Sequence, residues 1–152
     1  AAFQRDQAAV VVRPGVREFA VDLWSRRRGL TMADRSETGW VCDRFSCRST
    51  TGFNDGPVAI WWGRKSPSSD QMEALCRAAP VVSVRAVVTS IPSACQDRLV
   101  LDGVDFARGG AVELWRVRSG EPNRWRAVWT ADVRGDRPWT RQSDPEVSDT
   151  GA

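Results

Sequence analysis

Four cysteines, in a chain that contains no histidine, limit the chemistry that these 152 residues can perform. Cys42 and Cys47 flank a short polar segment, and Cys76 and Cys95 are the other two. A Cys–His nucleophile, a Ser-His-Asp triad and a histidine-ligated metal centre each need an imidazole, so all three are excluded. A zinc site made of thiolates alone usually contains close C-x2-C pairs, which this sequence lacks.

The spacing of the cysteines favours two disulfides. Two strand residues on either side of a four-residue turn lie opposite each other, with their Cα atoms about 4.5–5.5 Å apart, a distance that a disulfide accepts. We therefore expect one bond between Cys42 and Cys47, and a second between Cys76 in a helix and Cys95 in a loop. Buried free thiols and a four-thiolate zinc site are the alternatives. Because disulfides persist only in oxidising compartments, paired cysteines would indicate an exported or periplasmic protein.

The carboxylates do not form a recognisable catalytic pair. Their positions are typical of helix faces, turns and caps, and no glycine-rich phosphate loop accompanies them. We therefore expect neither an enzyme nor a cofactor site. The aspartates considered for this role are Asp22, Asp43, Asp102, Asp105 and Asp132.

The length and the composition, with 41% hydrophobic and 27% charged residues, predict one globular domain over residues 1–139. The polar residues 140–152 are expected to form a disordered tail. No segment has the roughly 20 apolar residues of a membrane-spanning helix. The opening AAFQRDQAA resembles neither a signal peptide nor a natural start, so we expect a piece of a longer protein.

Hydrophobic periodicity predicts an α/β or α+β fold, in which a mixed β-sheet carries two helices and the chain closes with a β-hairpin. The second helix should bury Met72, Leu75 and Cys76, and three tryptophans, Trp24, Trp61 and Trp115, should lie in the core. The predicted helices span 16–28 and 69–79, the loops 30–38 and 102–110, and the strands 8–13, 57–62, 80–88, 98–101, 111–117 and 124–133. Residues 40–47 are predicted to form a hairpin or a strand with a tight return.

Arginines and tryptophans provide the only pattern that favours a binding partner. The net charge is +3, with Lys65 as the sole lysine, which permits a polyanionic partner without requiring one. On the last strand, Trp125 and Trp129 share one face, and arginines occupy the other. Aromatic faces beside arginines can stack bases and hold phosphates, although a sheet face packed under a helix explains the same pattern. The candidate nucleic-acid contacts are Arg26, Arg27, Arg28, Arg124 and Arg126.

Several motifs occur in an order that is similar to one protein family. They are REFAVDLWSRRRG at 17–29, GWVCDRFSC at 39–47, LCRAAPVV at 75–82, SACQDRLVLDGVDFARGGAVELW at 93–115 and RGDRPW at 134–139. This order resembles the C-terminal soluble region of the ComEC family, inner-membrane channels that pass single-stranded DNA into the cytoplasm during natural transformation. The resemblance covers about residues 8–139. It is strongest to the branch with C-D-x-x-x-C, a second cysteine pair and a closing G-x-x-P-W.

The resemblance implies a periplasmic domain of a bacterial inner-membrane protein, joined to a membrane channel domain of the same polypeptide. It also implies a fold that is a degenerate half of the metallo-β-lactamase-like sandwich. Many relatives carry a histidine and aspartate metal site there, which this histidine-free chain cannot form. The implied function is therefore non-catalytic, either guiding single-stranded DNA or bracing the channel, with no small-molecule substrate. A structural or interaction domain without DNA affinity, and a zinc-thiolate binding module, are the competing hypotheses.

Overall fold

The computed structural model describes six stretches of the chain, residues 2–5, 8–12, 19–33, 39–49, 58–117 and 125–135. The predicted tail at 140–152 and the candidate contact Arg124 lie outside these residues. None of the helices in the six stretches is long and apolar enough to cross a bilayer.

The elements in these stretches confirm the predicted mixed α/β fold. The strands are β1 (Ala2–Arg5), β2 (Ala8–Val11), β3 (Thr31–Ala33), β4 (Trp40–Cys42), β5 (Ser46–Ser49), β6 (Val58–Trp61), β7 (Val81–Val84), β8 (Leu99–Leu101), β9 (Val112–Arg116) and β10 (Trp125–Trp129). The helices are α1 (Phe19–Arg27), α2 (Ser69–Ala78), α3 (Gly103–Gly109) and α4 (Thr130–Arg134), with a 3-10 turn at Ser93–Cys95.

A five-stranded mixed sheet, in the order β4-β5-β6-β7-β8, forms the centre of the fold. β4, β5 and β6 run antiparallel to one another, whereas β6, β7 and β8 are parallel. All four residues of β6 are buried, because this central strand is covered on both faces. A continuous apolar run such as VAIW is what a strand covered on both faces requires.

The helix α2 covers one face of this sheet. Its first turn is fixed by a capping box, in which the Ser68 hydroxyl accepts from the Gln71 amide and the Gln71 side chain accepts from the Ser68 amide. Met72, Leu75 and Cys76 are buried as predicted, and they pack with Trp61 in the first core cluster. The predictions for α2 and β6 are thus confirmed.

The opposite face of the sheet packs against the C-terminal hairpin and the end of β2. Ile60 and Val81 on the sheet join Val12 in a second core cluster, and Leu114 of β9 and Trp125 of β10 pack against it. β9 and β10 pair antiparallel, as predicted for the hairpin. A separate three-stranded sheet, β1-β2-β3, joins β2 to β3 in parallel around α1.

Both predicted disulfides are present. Cys42 and Cys47 face each other across β4 and β5, with their Cα atoms 4.0 Å apart. Cys76 of α2 is bonded to Cys95 in the 3-10 turn, at a Cα separation of 5.1 Å. No cysteine remains free, so the free-thiol and zinc-thiolate alternatives do not describe this structure.

Several local predictions are wrong, and one of them is the strand at 80–88, which ends at Val84. The supposed loop at 102–110 contains α3, because Asp102 accepts hydrogen bonds from two amides of the first turn and Asp105 accepts one from the Asp102 amide. The supposed loop at 30–38 contains β3, which is held by parallel pairing with β2. The last strand ends at Trp129 rather than at residue 133, since α4 follows at once.

Candidate nucleic-acid interface

The end of α1 places the three consecutive arginines at the surface. Ser25 is buried, and its hydroxyl donates to the Asp22 carbonyl oxygen at 2.9 Å. The chain leaves the helix through Gly29, which has a φ of 64°, and the Leu30 amide donates to the Ser25 carbonyl oxygen at 2.9 Å. A positive φ of this kind is typical of a helix C-terminus.

Arg28 reaches from this helix end to the C-terminal hairpin. Its Nη2 lies 2.5 Å from Oε1 of Glu113, and its guanidinium carbon lies 4.6 Å from the centroid of the Trp115 ring. Both partners belong to β9. A guanidinium over an indole face is an attractive cation–π contact, so Arg28 connects α1 to the hairpin.

Arg126 approaches the same tryptophan from the neighbouring strand. It is the direct cross-strand partner of Trp115, and residues that oppose each other across an antiparallel pair share one face of the sheet. Arg126 is exposed, and so is Trp115, whose exposed fraction is 40%. We call the group of Arg28, Glu113, Trp115 and Arg126 the Trp115 patch.

The exposure of Trp115 contradicts its predicted place in the core. Leu114 packs against the second core cluster, and side chains along a strand alternate between faces. Its neighbours Glu113 and Trp115 therefore project from the outer face. The alternation in AVELWRV predicts that Glu113 and Trp115 lie on one face of the strand, but it does not predict which face of the hairpin is exposed.

The other candidate arginines differ in their partners. Arg26 forms an ion pair with Asp22 one turn earlier, at 2.9 Å between Nη2 and Oδ2. Arg27 is exposed, and its guanidinium has no hydrogen bond or ion pair with any residue in the described stretches. The structure thus places Arg28 over the Trp115 ring and Arg126 opposite Trp115 in the strand register, and it leaves Arg27 at the end of α1.

The two inward tryptophans of β10 are structural. Trp125 packs against the second core cluster, and Trp129 makes an edge-on contact with Phe106 of α3, with 5.7 Å between ring centroids. The interpretation of this face as a packed sheet surface therefore holds for both residues. The aromatic ring available beside the arginines is Trp115 instead.

Three of the five candidate aspartates, Asp43, Asp102 and Asp105, accept hydrogen bonds from backbone amides in a turn and a helix cap. The Asp43 carboxylate accepts from the amides of Phe45 and Ser46, at 2.7 and 2.6 Å, and from the Ser46 hydroxyl. Burial opposes ionisation, but these hydrogen bonds and the charge of Arg48 outweigh it and lower the pKa of Asp43. Across the described stretches, no cluster of three Cys, Asp or Glu side chains could hold a metal ion.

An exposed indole, with one guanidinium over its ring and a second arginine opposite it on the neighbouring strand, offers a surface that can stack on an unpaired base and attract its phosphate. The carboxylate of Glu113 offsets part of that positive charge. Comparisons with protein-family models, with curated proteins and with solved structures find no match for this chain.

Proposed function

We propose that this chain is a non-catalytic, disulfide-bonded periplasmic domain of a ComEC-like DNA-uptake channel, and that it guides single-stranded DNA across its surface. The observation that carries the proposal is the pairing of all four cysteines. The ordered motifs that resemble the ComEC region suggest the channel. The Trp115 patch supplies a surface with the chemistry that unpaired DNA requires.

The disulfides favour the periplasm because of where they lie. Cys47, Cys76 and Cys95 are buried within the two core clusters, so the bonds are part of the core rather than surface additions. Cytoplasmic thiols are kept reduced, whereas structural disulfides persist in the periplasm and outside the cell. A core built around two such bonds suits a domain that folds after export.

The Trp115 patch favours a single strand over a duplex. Base stacking on aromatic rings needs bases that are not already stacked in a helix. Trp115 offers such a ring at the surface, and Arg28 and Arg126 lie beside it to attract the backbone phosphates. The patch is small, and Glu113 reduces its charge. We therefore expect weak, salt-sensitive contact, which suits a strand that must move on rather than stay bound.

The proposal is tested by a fluorescence anisotropy titration of a labelled oligo-dT strand with the oxidised chain at several salt concentrations. We expect binding that weakens with salt and that is reduced by Arg28→Gln and by Arg126→Gln. Arg77→Gln is the matched control, because Arg77 forms a comparable surface ion pair with Glu73 on α2. Equal affinity in the two patch variants and the control would reject this surface. No binding by the wild-type chain would favour a purely structural or interaction domain.

A further inference from the structure

A second site of a different kind lies where β6 and β7 end. A cleft of about 270 Å³ opens on the sheet face opposite α2, with Val12 and Ile60 in its apolar lining. The other lining residues are Trp61, Trp62, Ser83, Arg85 and Phe106. Trp62 follows β6 directly and Arg85 follows β7. Ligands of open α/β sheets bind outside the carboxyl ends of parallel strands, which is where this cleft lies.

The aromatic walls are held in place by contacts outside the cleft. The Trp62 indole N–H donates to the Arg44 carbonyl oxygen at 3.0 Å, and the Trp62 amide donates to the Phe45 carbonyl oxygen at 2.9 Å. The Phe106 ring contacts Trp129 edge-on. Neither ring has to be ordered by a ligand, which lowers the entropic cost of binding.

The helix α3, which carries Phe106, is fastened to the segment that follows β7. The Gly103 amide donates to the Ala86 carbonyl oxygen at 3.0 Å, and the Val88 amide donates to Asp102 Oδ2 at 2.9 Å. A Cβ at Gly103 would lie 2.9 Å from backbone atoms of Ala86 and Val87, so the two segments approach closely. Phe106 and Arg85 are therefore held on adjoining segments beside one cleft.

The charge at the cleft is positive. Arg85 is exposed, its backbone amide is anchored to the Trp61 carbonyl oxygen at 2.9 Å, and its guanidinium meets no carboxylate of the described stretches. Two nearby aspartates, Asp43 and Asp102, direct their carboxylates to backbone amides. The Ser83 hydroxyl in the cleft wall can donate a further hydrogen bond to an anion.

The geometry points to a nucleotide-binding site: we propose that the cleft takes one nucleotide unit of a DNA strand. The base stacks on the aromatic walls, Arg85 pairs with the phosphate and Ser83 donates to it. An acidic peptide or a lipid headgroup would satisfy Arg85 but would leave the rings of Trp62 and Phe106 without a planar partner. The choice of a DNA strand as the source of the nucleotide rests on the proposed function. The cleft and the Trp115 patch have no residue in common.

The test compares three probes bound to the full oxidised chain: labelled oligo-dT, a labelled abasic oligonucleotide of equal length, and thymidine 5′-monophosphate. We expect oligo-dT to bind more tightly than the abasic strand, and both to bind more tightly than the mononucleotide. Equal affinity for oligo-dT and the abasic strand would show that neither the cleft walls nor Trp115 stack bases. Equal affinity for oligo-dT and the mononucleotide would contradict a strand as the source.

Variants locate the site. Arg85→Gln should weaken oligo-dT binding about tenfold, the amount expected for a charged hydrogen bond. Phe106→Leu should weaken oligo-dT binding about fivefold and leave abasic binding unchanged. Arg108→Gln, on an exposed position of the same helix, should have no effect. Because the Arg85 side chain has no hydrogen bond or ion pair with any residue of the described stretches, Arg85→Gln keeps the test valid even if Phe106→Leu fails to fold. If oligo-dT binds but Arg85→Gln behaves like Arg108→Gln, the cleft proposal is overturned and the proposed function stands. If no strand binds, both fail.

Discussion

The guanidinium carbon of Arg28 lies 4.6 Å from the centre of the Trp115 ring, which joins the end of α1 to the outer face of the C-terminal hairpin. The same guanidinium pairs with Glu113 on the same strand. Arg28 therefore has a structural role as well as a place in the proposed DNA surface. Substitutions at its two partners can separate those roles.

The Glu113→Gln variant should bind single-stranded DNA more tightly. The change removes a negative charge beside Arg28 and leaves the hydrogen-bonding shape of the side chain. Removing the Glu113 charge a few ångströms from a surface phosphate should strengthen binding by about 1 kcal/mol or less, which is at most about a fivefold gain in affinity. Anisotropy titrations at low and high salt measure the effect, which should shrink as salt screens the charge. Unchanged or weaker binding at low salt would show that phosphate does not approach Arg28.

The Trp115→Ala variant should lose single-strand affinity with little change in fold. Stacking of one base on an aromatic ring is worth about 1–3 kcal/mol, so the dissociation constant should rise at least about fivefold. Phe19→Ala is the control, because Phe19 is an aromatic residue on α1 that is 80% exposed. The result that speaks against the Trp115 patch is an equal effect of the two substitutions.

Removing the two disulfides should cost different amounts of stability. The Cys76–Cys95 bond closes a loop with a sequence separation of 19, and the Cys42–Cys47 bond one of 5. On the chain-entropy model, the Cys76–Cys95 bond stabilises the folded state by about 3 kcal/mol and the Cys42–Cys47 bond by about 2 kcal/mol. In each of two variants, both cysteines of one disulfide are replaced by alanine. Urea denaturation without reductant then measures the loss of unfolding free energy in each variant. A larger loss from the hairpin bond than from the helix bond would contradict this order.

Asp43 should make stability depend on pH in acid. Its pKa is lowered by folding, so its contribution is complete above the unfolded value of 3.8 and disappears as the pH falls through the folded value. The difference in unfolding free energy between the wild type and Asp43→Asn should therefore be largest near neutral pH and shrink below about pH 4. Asp97→Asn, in an exposed turn, is the control. A difference that grows on acidification would reverse the predicted sign.

The Gly103→Ala variant should be destabilised by crowding. The added methyl group would lie 2.9 Å from the backbone of Ala86 and Val87, and backbone atoms cannot move aside cheaply. Overpacking of this kind costs about 1–3 kcal/mol. Thermal unfolding should show the loss, whereas Ala107→Ser on the exposed side of the same helix should stay within about 0.5 kcal/mol of the wild type. Wild-type stability of Gly103→Ala would mean that α3 is not packed tightly against the end of β7.

The sequence was informative where local signals and burial agree. The apolar run of β6 and the capping box of α2 both predict their elements, and the cysteine spacing predicts both disulfides. The sequence did not predict elements that depend on a pairing partner elsewhere in the chain. The three-residue strand β3 has no period of its own and depends on β2. The helix α3 was overlooked because glycines surround it, although Asp102 and Asp105 carry its capping signal.

The candidate interface was predicted only in part. Arg28 and Arg126 were identified separately, from a helix end and from a strand. That both neighbour Trp115 depends on the pairing of β9 with β10 and on the contact of α1 with the hairpin, which no local sequence pattern predicts. The cleft at Arg85 was not foreseen either, because its walls come from the ends of two strands and from an unpredicted helix.

The most direct test of the account is the state of the sulfurs in the chain as isolated without reductant. Thiol titration in denaturant should find no reactive groups, and peptide mapping should recover the links Cys42–Cys47 and Cys76–Cys95. Four reactive thiols in the unreduced, unfolded protein would contradict both the disulfide-bonded core and the periplasmic placement that depends on it.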